Sequence, residues 1–178
     1  MIFQPTGLAG AYVIAIERLS DARGFFARSF CAREFEDHGL NPSLAQCNIS
    51  YNRHAGTLRG MHFQAAPFEE AKLVRCTRGA IHDVIIDLRP DSPTFMQHVG
   101  VQLTPDARNM LYVPEGFAHG FLTLEDHTEV FYQMSEFYVP GAARGFRWDD
   151  PAFAIDWPAS VSVISERDAA YPDFALVR

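Results

Sequence analysis

A chain of 178 residues, 48% of them apolar, is long enough to bury one sizeable core and has the composition of a soluble globular protein. Its formal charge of −7, with the histidines neutral, speaks against general binding to nucleic acid or membrane surfaces, yet leaves room for a small anionic ligand held by a local cluster of Arg and Lys. No stretch is apolar enough to span a bilayer, and Met1-Ile2-Phe3-Gln4-Pro5 lacks a signal-peptide pattern. Cys31, Cys47 and Cys76 are scattered without a CxxC pair, so a cytoplasmic protein is expected.

In chain order, strands are predicted at Tyr12–Glu17 and Phe25–Phe30. The one clear helix is Ala32–His38, with Phe35 as its apolar contact and Gly39 as its stop. Strands follow at Thr57–Gln64, Ala71–Arg78, Ala80–Leu88, His98–Leu103, Asn109–Val113, Gly120–Thr123 and His127–Phe137. Turn signals such as Arg78-Gly79, Pro90-Asp91-Ser92-Pro93 and Thr104-Pro105-Asp106 separate them. Many short strands and little helix predict an all-β fold, a sandwich or jelly roll. No repeat or linker divides the chain, so one domain over residues 1–178 is expected. The tail after Asp149-Asp150-Pro151 is irregular but rich in Trp, Ile and Val, and is expected to pack on the barrel.

Alternation makes several polar residues conspicuous. Lys72 shares a strand face with Val74 and Cys76, Tyr132 with Val130 and Met134, and Asp83 with Ile81 and Ile85. Singly, each has an ordinary reading: a snorkelling lysine, a core tyrosine with a satisfied hydroxyl, a structural carboxylate. Arg59 and His62 flank Gly60, and glycine within a strand often marks a bulge or a close backbone approach. A barrel interior holding His, Lys, Tyr, Arg and Asp is costly without a use, and the set has the parts of a proton-transfer site. The spacing in Pro114-Glu115-Gly116-Phe117-Ala118-His119-Gly120 is that of cupin barrels, where this His often binds a metal. The first cupin motif lacks its second His here, reading His62-Phe63-Gln64. His62 and His119 alone are short of ligands, so no metal is expected.

These residues belong to a longer series. It includes Asp21-Ala22-Arg23-Gly24-Phe25-Phe26, Gln46-Cys47-Asn48-Ile49-Ser50, Leu58-Arg59-Gly60-Met61-His62-Phe63-Gln64 and Ala71-Lys72-Leu73-Val74-Arg75. Asp83-Val84-Ile85-Ile86-Asp87-Leu88-Arg89, Ser92-Pro93-Thr94-Phe95, the His119 segment, Tyr138-Val139-Pro140, Trp148-Asp149-Asp150-Pro151 and Ser165-Glu166-Arg167-Asp168 complete it. In this order the series resembles the dTDP-4-dehydrorhamnose 3,5-epimerases. The resemblance implies a cupin-type jelly roll with a few short helices, a homodimer, and a reaction without metal or other cofactor, most commonly within rhamnose biosynthesis.

It also implies roles. His62 corresponds to the general base, with Asp168 as its carboxylate partner and Asp83 as an alternative. Tyr132 corresponds to the acid on the opposite face of the sugar, and Lys72 to the group that stabilises charge on the C4 oxygen. Arg23, Phe26, Arg28, Gln46, Asn48, Arg59, His119, Tyr138 and Arg167 correspond to positions that hold the nucleotide sugar, with Tyr138 stacking on the thymine. The chemistry suits these groups. A C4 ketone acidifies C3–H and C5–H, a neutral His of pKa about 6.5 can take a proton, and a Tyr of pKa about 10 can return one. Arg pairs with phosphate oxygens through its fork of donors.

The family usually has Glu where this chain has Arg28 and Ala143, and Lys where it has Arg167. Two readings follow: drift at the pocket rim with the substrate unchanged, or a changed nucleobase or sugar, for example a CDP-linked one. Rival activities are epimerisation at C3 alone or C5 alone, a non-catalytic cupin that binds a nucleotide sugar, and a metal-dependent cupin.

Overall fold

Period-two alternation decides how these strands stack, because each must bury one face and several bury both. The computed structural model describes residues 1–175. In chain order the elements are β1 (Ile2–Pro5), β2 (Tyr12–Ala15), β3 (Leu19–Asp21), β4 (Gly24–Phe26), α1 (Ala32–Asp37), β5 (Gln46–Asn52), β6 (Thr57–Gln64) and β7 (Lys72–Arg78). They continue with β8 (Ile81–Asp87), β9 (His98–Leu103), β10 (Met110–Val113), β11 (Phe117–Thr123), β12 (Thr128–Met134), β13 (Ala143–Gly145), β14 (Val163–Ile164) and α2 (Glu166–Ala169).

One sheet runs β1-β2-β10-β7-β12-β5, and a second runs β13-β6-β11-β8-β9 with β14 added parallel to β6. The remaining pairings are antiparallel, and β3 and β4 form a separate hairpin. This is the expected all-β sandwich with two short helices. The inner faces meet in a core of Val74, Cys76, Ile81, Ile85, Leu111, Val113, Phe121 and Val130. Helix α1 covers part of the first sheet's outer face, where Phe35 packs with Ile14, Leu73 and Tyr112. The irregular tail covers the second sheet, where Phe153, Ile155, Trp157 and Phe174 pack on Met61, Val84, Ile86 and Phe146. No helix among the described residues is long and apolar enough to cross a membrane.

Two predicted strands change. The strand expected at Phe25–Phe30 ends at Phe26, because it pairs only with three residues of β3 and nothing extends the ladder. The strand expected from Gly120 begins at Phe117, since β8 pairs with it as far back as Asp87. Strands β1 and β5 were not predicted. In β5 the even-numbered residues Gln46, Asn48, Ser50 and Asn52 are the more buried, while Cys47, Ile49 and Tyr51 are exposed. That pattern inverts the usual apolar-inward rule.

Candidate active site

Because Val74 and Cys76 belong to the inter-sheet core, Lys72 on the same face of β7 also points between the sheets, and Tyr132 follows Val130 inward on β12. Opposite them, β6 and β11 place His62 and His119 as direct cross-strand partners. The register shifts between His119 and Phe121, and there Gly60 meets Gly120. Gly60 has φ +149°, and a Cβ on it would lie 2.6 Å from the Gly120 Cα. The glycine singled out in the sequence therefore marks both a close approach and an irregularity in the ladder.

These strands enclose an open cleft of about 510 Å³, within the range that takes small ligands. Arg59, His62, Lys72, His119, Tyr132, Tyr138, Arg167 and Asp168 all line it. His62 Nε2 lies 2.8 Å from Asp168 Oδ1, so Asp168 rather than Asp83 is its partner. Asp83 is fully buried and holds His119 instead, Oδ1 to Nε2 at 2.6 Å. Burial alone would raise the Asp168 pKa. Hydrogen bonds from His62, the Gly60 amide and Ser165, together with the nearby imidazole charge, outweigh it and hold the carboxyl below its ordinary value. An ionised Asp168 accepts the Nε2–H and leaves Nδ1 of His62 as the ring's basic nitrogen. Burial raises the Tyr132 pKa, against the lowering effect of the Arg59 charge. Tyr132 is thus kept a proton donor, and Lys72 adds a cation beside it. A base, an acid and a cation around one cavity can remove a proton next to a carbonyl, stabilise the enolate and return a proton.

The family model for dTDP-4-dehydrorhamnose 3,5-epimerase matches residues 5–175. A curated dTDP-4-dehydrorhamnose 3,5-epimerase from Sinorhizobium fredii is 41% identical over 173 residues, covering 97% of this chain and 89% of its own. The chain belongs to the dTDP-4-dehydrorhamnose 3,5-epimerase family. A crystal structure of such an epimerase from Bacillus anthracis, with TDP and PPi bound, superposes with a TM-score of 0.92 at 41% identity, covering 97% of this chain and 99% of its own. A 3'-monoepimerase from Streptomyces bikiniensis, in complex with dTDP-quinovose, superposes with a TM-score of 0.86 at 31% identity, covering 96% and 86%. The protein is accordingly an enzyme of the dTDP-4-dehydrorhamnose 3,5-epimerase type.

Other expected binding residues of the epimerase lie outside the cleft. Gln46 and Asn48 face inward but do not line it: Gln46 Oε1 accepts the Tyr138 amide at 2.8 Å, and Asn48 Nδ2 donates to the Met134 sulfur. Arg23, Phe26 and Arg28 do not line the cleft of their own chain. Arg23 is 90% exposed and bound to Asp21, Phe26 is 70% exposed, and Arg28 pairs with Glu34 at 2.9 Å. Ala143, by contrast, is at the cleft wall beside Arg144.

Several participants carry no sequence-level expectation. Asn52 holds Arg59 from β5, its Oδ1 accepting from Arg59 Nε at 2.7 Å. Arg144, Gln64 and Glu70 line the cavity. Ser165 caps α2, accepting the Asp168 amide at 3.0 Å and so orienting the carboxylate. The Ser-x-x-Asp spacing of Ser165 and Asp168 is a readable N-cap signal. The others lack one, since their importance lies in long-range contacts. Among the described residues no group of three or more His, Cys, Asp or Glu is arranged to hold a metal ion.

Proposed function

We propose that the protein inverts C3 and C5 of dTDP-4-dehydro-6-deoxy-D-glucose, giving dTDP-4-dehydro-L-rhamnose. The observation that carries this reading is the convergence of the His62–Asp168 pair, Lys72 and Tyr132 on one cavity. Nδ1 of His62 takes the proton from the carbon beside the C4 ketone. The C–H electron pair moves into the ring and onto the C4 oxygen, where Lys72 stabilises the oxyanion. Tyr132 then delivers its proton to the opposite face of the carbon, which inverts the centre and leaves a phenolate. Exchange with solvent deprotonates the imidazolium and reprotonates the phenolate, so no redox cofactor is consumed. Arg59, His119, Tyr138 and Arg167 hold the nucleotide sugar. Arg167 is fixed by Tyr171, Nε to Oη at 2.8 Å.

The enzyme acts as a homodimer in this reading. Ile49, Phe131 and Arg75 form a row across β5, β12 and β7 on an outer face that α1 leaves uncovered, and Ile49 is 65% exposed. Arg75 Nε and Gln133 Oε1 beside them are buried without a partner among the described residues. A second copy on this face supplies one, and brings the Arg23–Phe26–Arg28 hairpin region to the partner's cleft. Three free thiols suit a reducing compartment, which favours the cytoplasm.

Solvent-deuterium uptake tests the reaction. Incorporation at both C3 and C5 of the dTDP sugar, with loss in His62→Asn, is the expected result. Uptake at one carbon only assigns a monoepimerase, the second reading, which the likeness to the 3'-monoepimerase keeps open. No uptake from any 4-keto sugar nucleotide would leave a non-catalytic binding protein. Arg28 and Ala143 bear on the nucleobase: parallel assays of dTDP- and CDP-linked substrates, with Arg28→Glu, separate rim drift from changed specificity.

A further inference from the structure

We propose that Glu70 is a positioning residue of the epimerisation: it aims the Lys72 ammonium at the substrate's C4 oxygen and sets the electrostatic field at the Tyr132 hydroxyl. This rests on the reading of Lys72 and Tyr132 given above.

Glu70 stands two residues before Lys72 and lines the same cavity. Its side chain is 5% exposed, and its Oε1 lies 2.8 Å from Lys72 Nζ. Its Oε2 is buried with no partner among the described residues. Leaving a buried carboxylate oxygen without a donor destabilises the fold. A neutral side chain there would avoid that cost, so the carboxylate is a poor choice for stability alone.

Its geometry serves the reaction in two ways. An ammonium on a four-carbon stem has three donors and many rotamers. The bond to Glu70 uses one donor and fixes the stem, leaving the others for an oxyanion in the cleft. The second effect is on charge. The charged and titratable groups that share the cavity with Tyr132 are Arg59 and the His62–Asp168 pair from the β6 side, Lys72 on β7, His119 on β11, Tyr138, Arg144, Arg167 and Glu70; its neighbour on β5, Asn48, is neutral. The Arg59 charge favours a phenolate. Glu70 opposes it: after burial, and against the Arg59 charge, its own charge raises the Tyr132 pKa further. A phenol kept protonated at higher pH remains an acid over a wider range.

Two variants separate the effects. Glu70→Gln keeps an acceptor for Lys72 and removes the charge, whereas Glu70→Ala removes both. Each is assayed with dTDP-4-dehydro-6-deoxy-D-glucose from about pH 6 to about pH 10, beside wild type and His62→Asn. Expected for Glu70→Ala is a kcat at least about tenfold lower with KM within about threefold, and for Glu70→Gln a smaller loss. The alkaline limb of kcat should move to lower pH in both. An unmoved alkaline limb, or a loss carried by KM alone, overturns the proposal, even if the variants melt earlier. Should Glu70→Ala not fold, the limb in Glu70→Gln decides. A wild-type enzyme that turns over no substrate overturns the functional reading instead.

Discussion

At Asp168 burial and hydrogen bonding pull in opposite directions, and hydrogen bonding wins. The outcome matters because an ionised Asp168 holds His62 in the tautomer with Nδ1 free. Tyr132 is the complementary case, since burial favours its neutral form. One carboxylate kept charged and one phenol kept neutral give the site a base and an acid at the same pH. Removal and return of the proton are therefore separable. Tyr132→Phe should slow inversion by about 10²–10⁴-fold, while His62 still exchanges the substrate's C–H with solvent. Following deuterium wash-in and product chirality in one reaction checks this, and equal loss of both would show that Tyr132 also serves in proton removal. The inward direction of Lys72 and Tyr132 was legible in the sequence, because alternation with Val74 and Val130 is a local property. The preference for Asp168 over Asp83 came from the resemblance and not from local pattern, since His62 and Asp168 are 106 residues apart.

Among the elements, β6 and β11 act as a unit. Their two glycines let the backbones approach, and the register shifts between His119 and Phe121, just beyond the paired His62 and His119. A methyl group at Gly60 meets backbone that cannot rotate away, at a φ that L side chains rarely adopt. Gly60→Ala should destabilise the fold by about 1–3 kcal/mol. Its activity should fall further than the folded fraction does, because both imidazoles ride on the displaced strands. Melting temperature and kcat measured on the same preparation test this, and a loss of activity that only tracks unfolding would count against it. Strand β5 shows the opposite lesson. Its polar residues face inward toward the site and its apolar ones outward, so a rule that equates apolar with buried passes over it. The functional demand on the strand hides the strand.

At the scale of the whole molecule, two further outcomes are expected. Asp87 is fully buried and accepts from Arg89, Ser92 and Thr94. Burial pushes its pKa up, but those bonds prevail and bring it down to about 2. The ionised form is therefore favoured by the fold. Its stabilisation is present above the ordinary carboxylate value and is lost as pH falls toward 2, in all about 2 kcal/mol. Denaturant unfolding at neutral and acid pH should show this loss in wild type and a shallower slope in Asp87→Asn. The second outcome concerns the hairpin. Phe25 is held by its own chain, with Arg18 and Arg108 centred 5.2 Å and 4.9 Å from its ring, while Phe26 faces away. If the hairpin serves the partner's cleft, His62→Asn and Arg23→Ala chains mixed after unfolding should regain about a quarter of wild-type activity, since half the dimers carry one intact cleft of two. Mixtures no more active than their parents would place each hairpin at its own site.

The sequence by itself determined the fold class, the inward faces of β7, β8 and β12, the packing of the aromatic tail and the family. These depend on period-two alternation, turn chemistry and ordered motifs, all carried by near neighbours in the chain. Tertiary structure alone decided that Asp83 serves His119 and that Arg23, Phe26 and Arg28 stand away from their own cleft, and it supplied the contact between His62 and Asp168 that the resemblance implied. These are matters of which strands become neighbours and how sheets are offset. Short-range patterning does not encode them, because pairing partners tens to a hundred residues apart are selected by the packing of the whole sandwich.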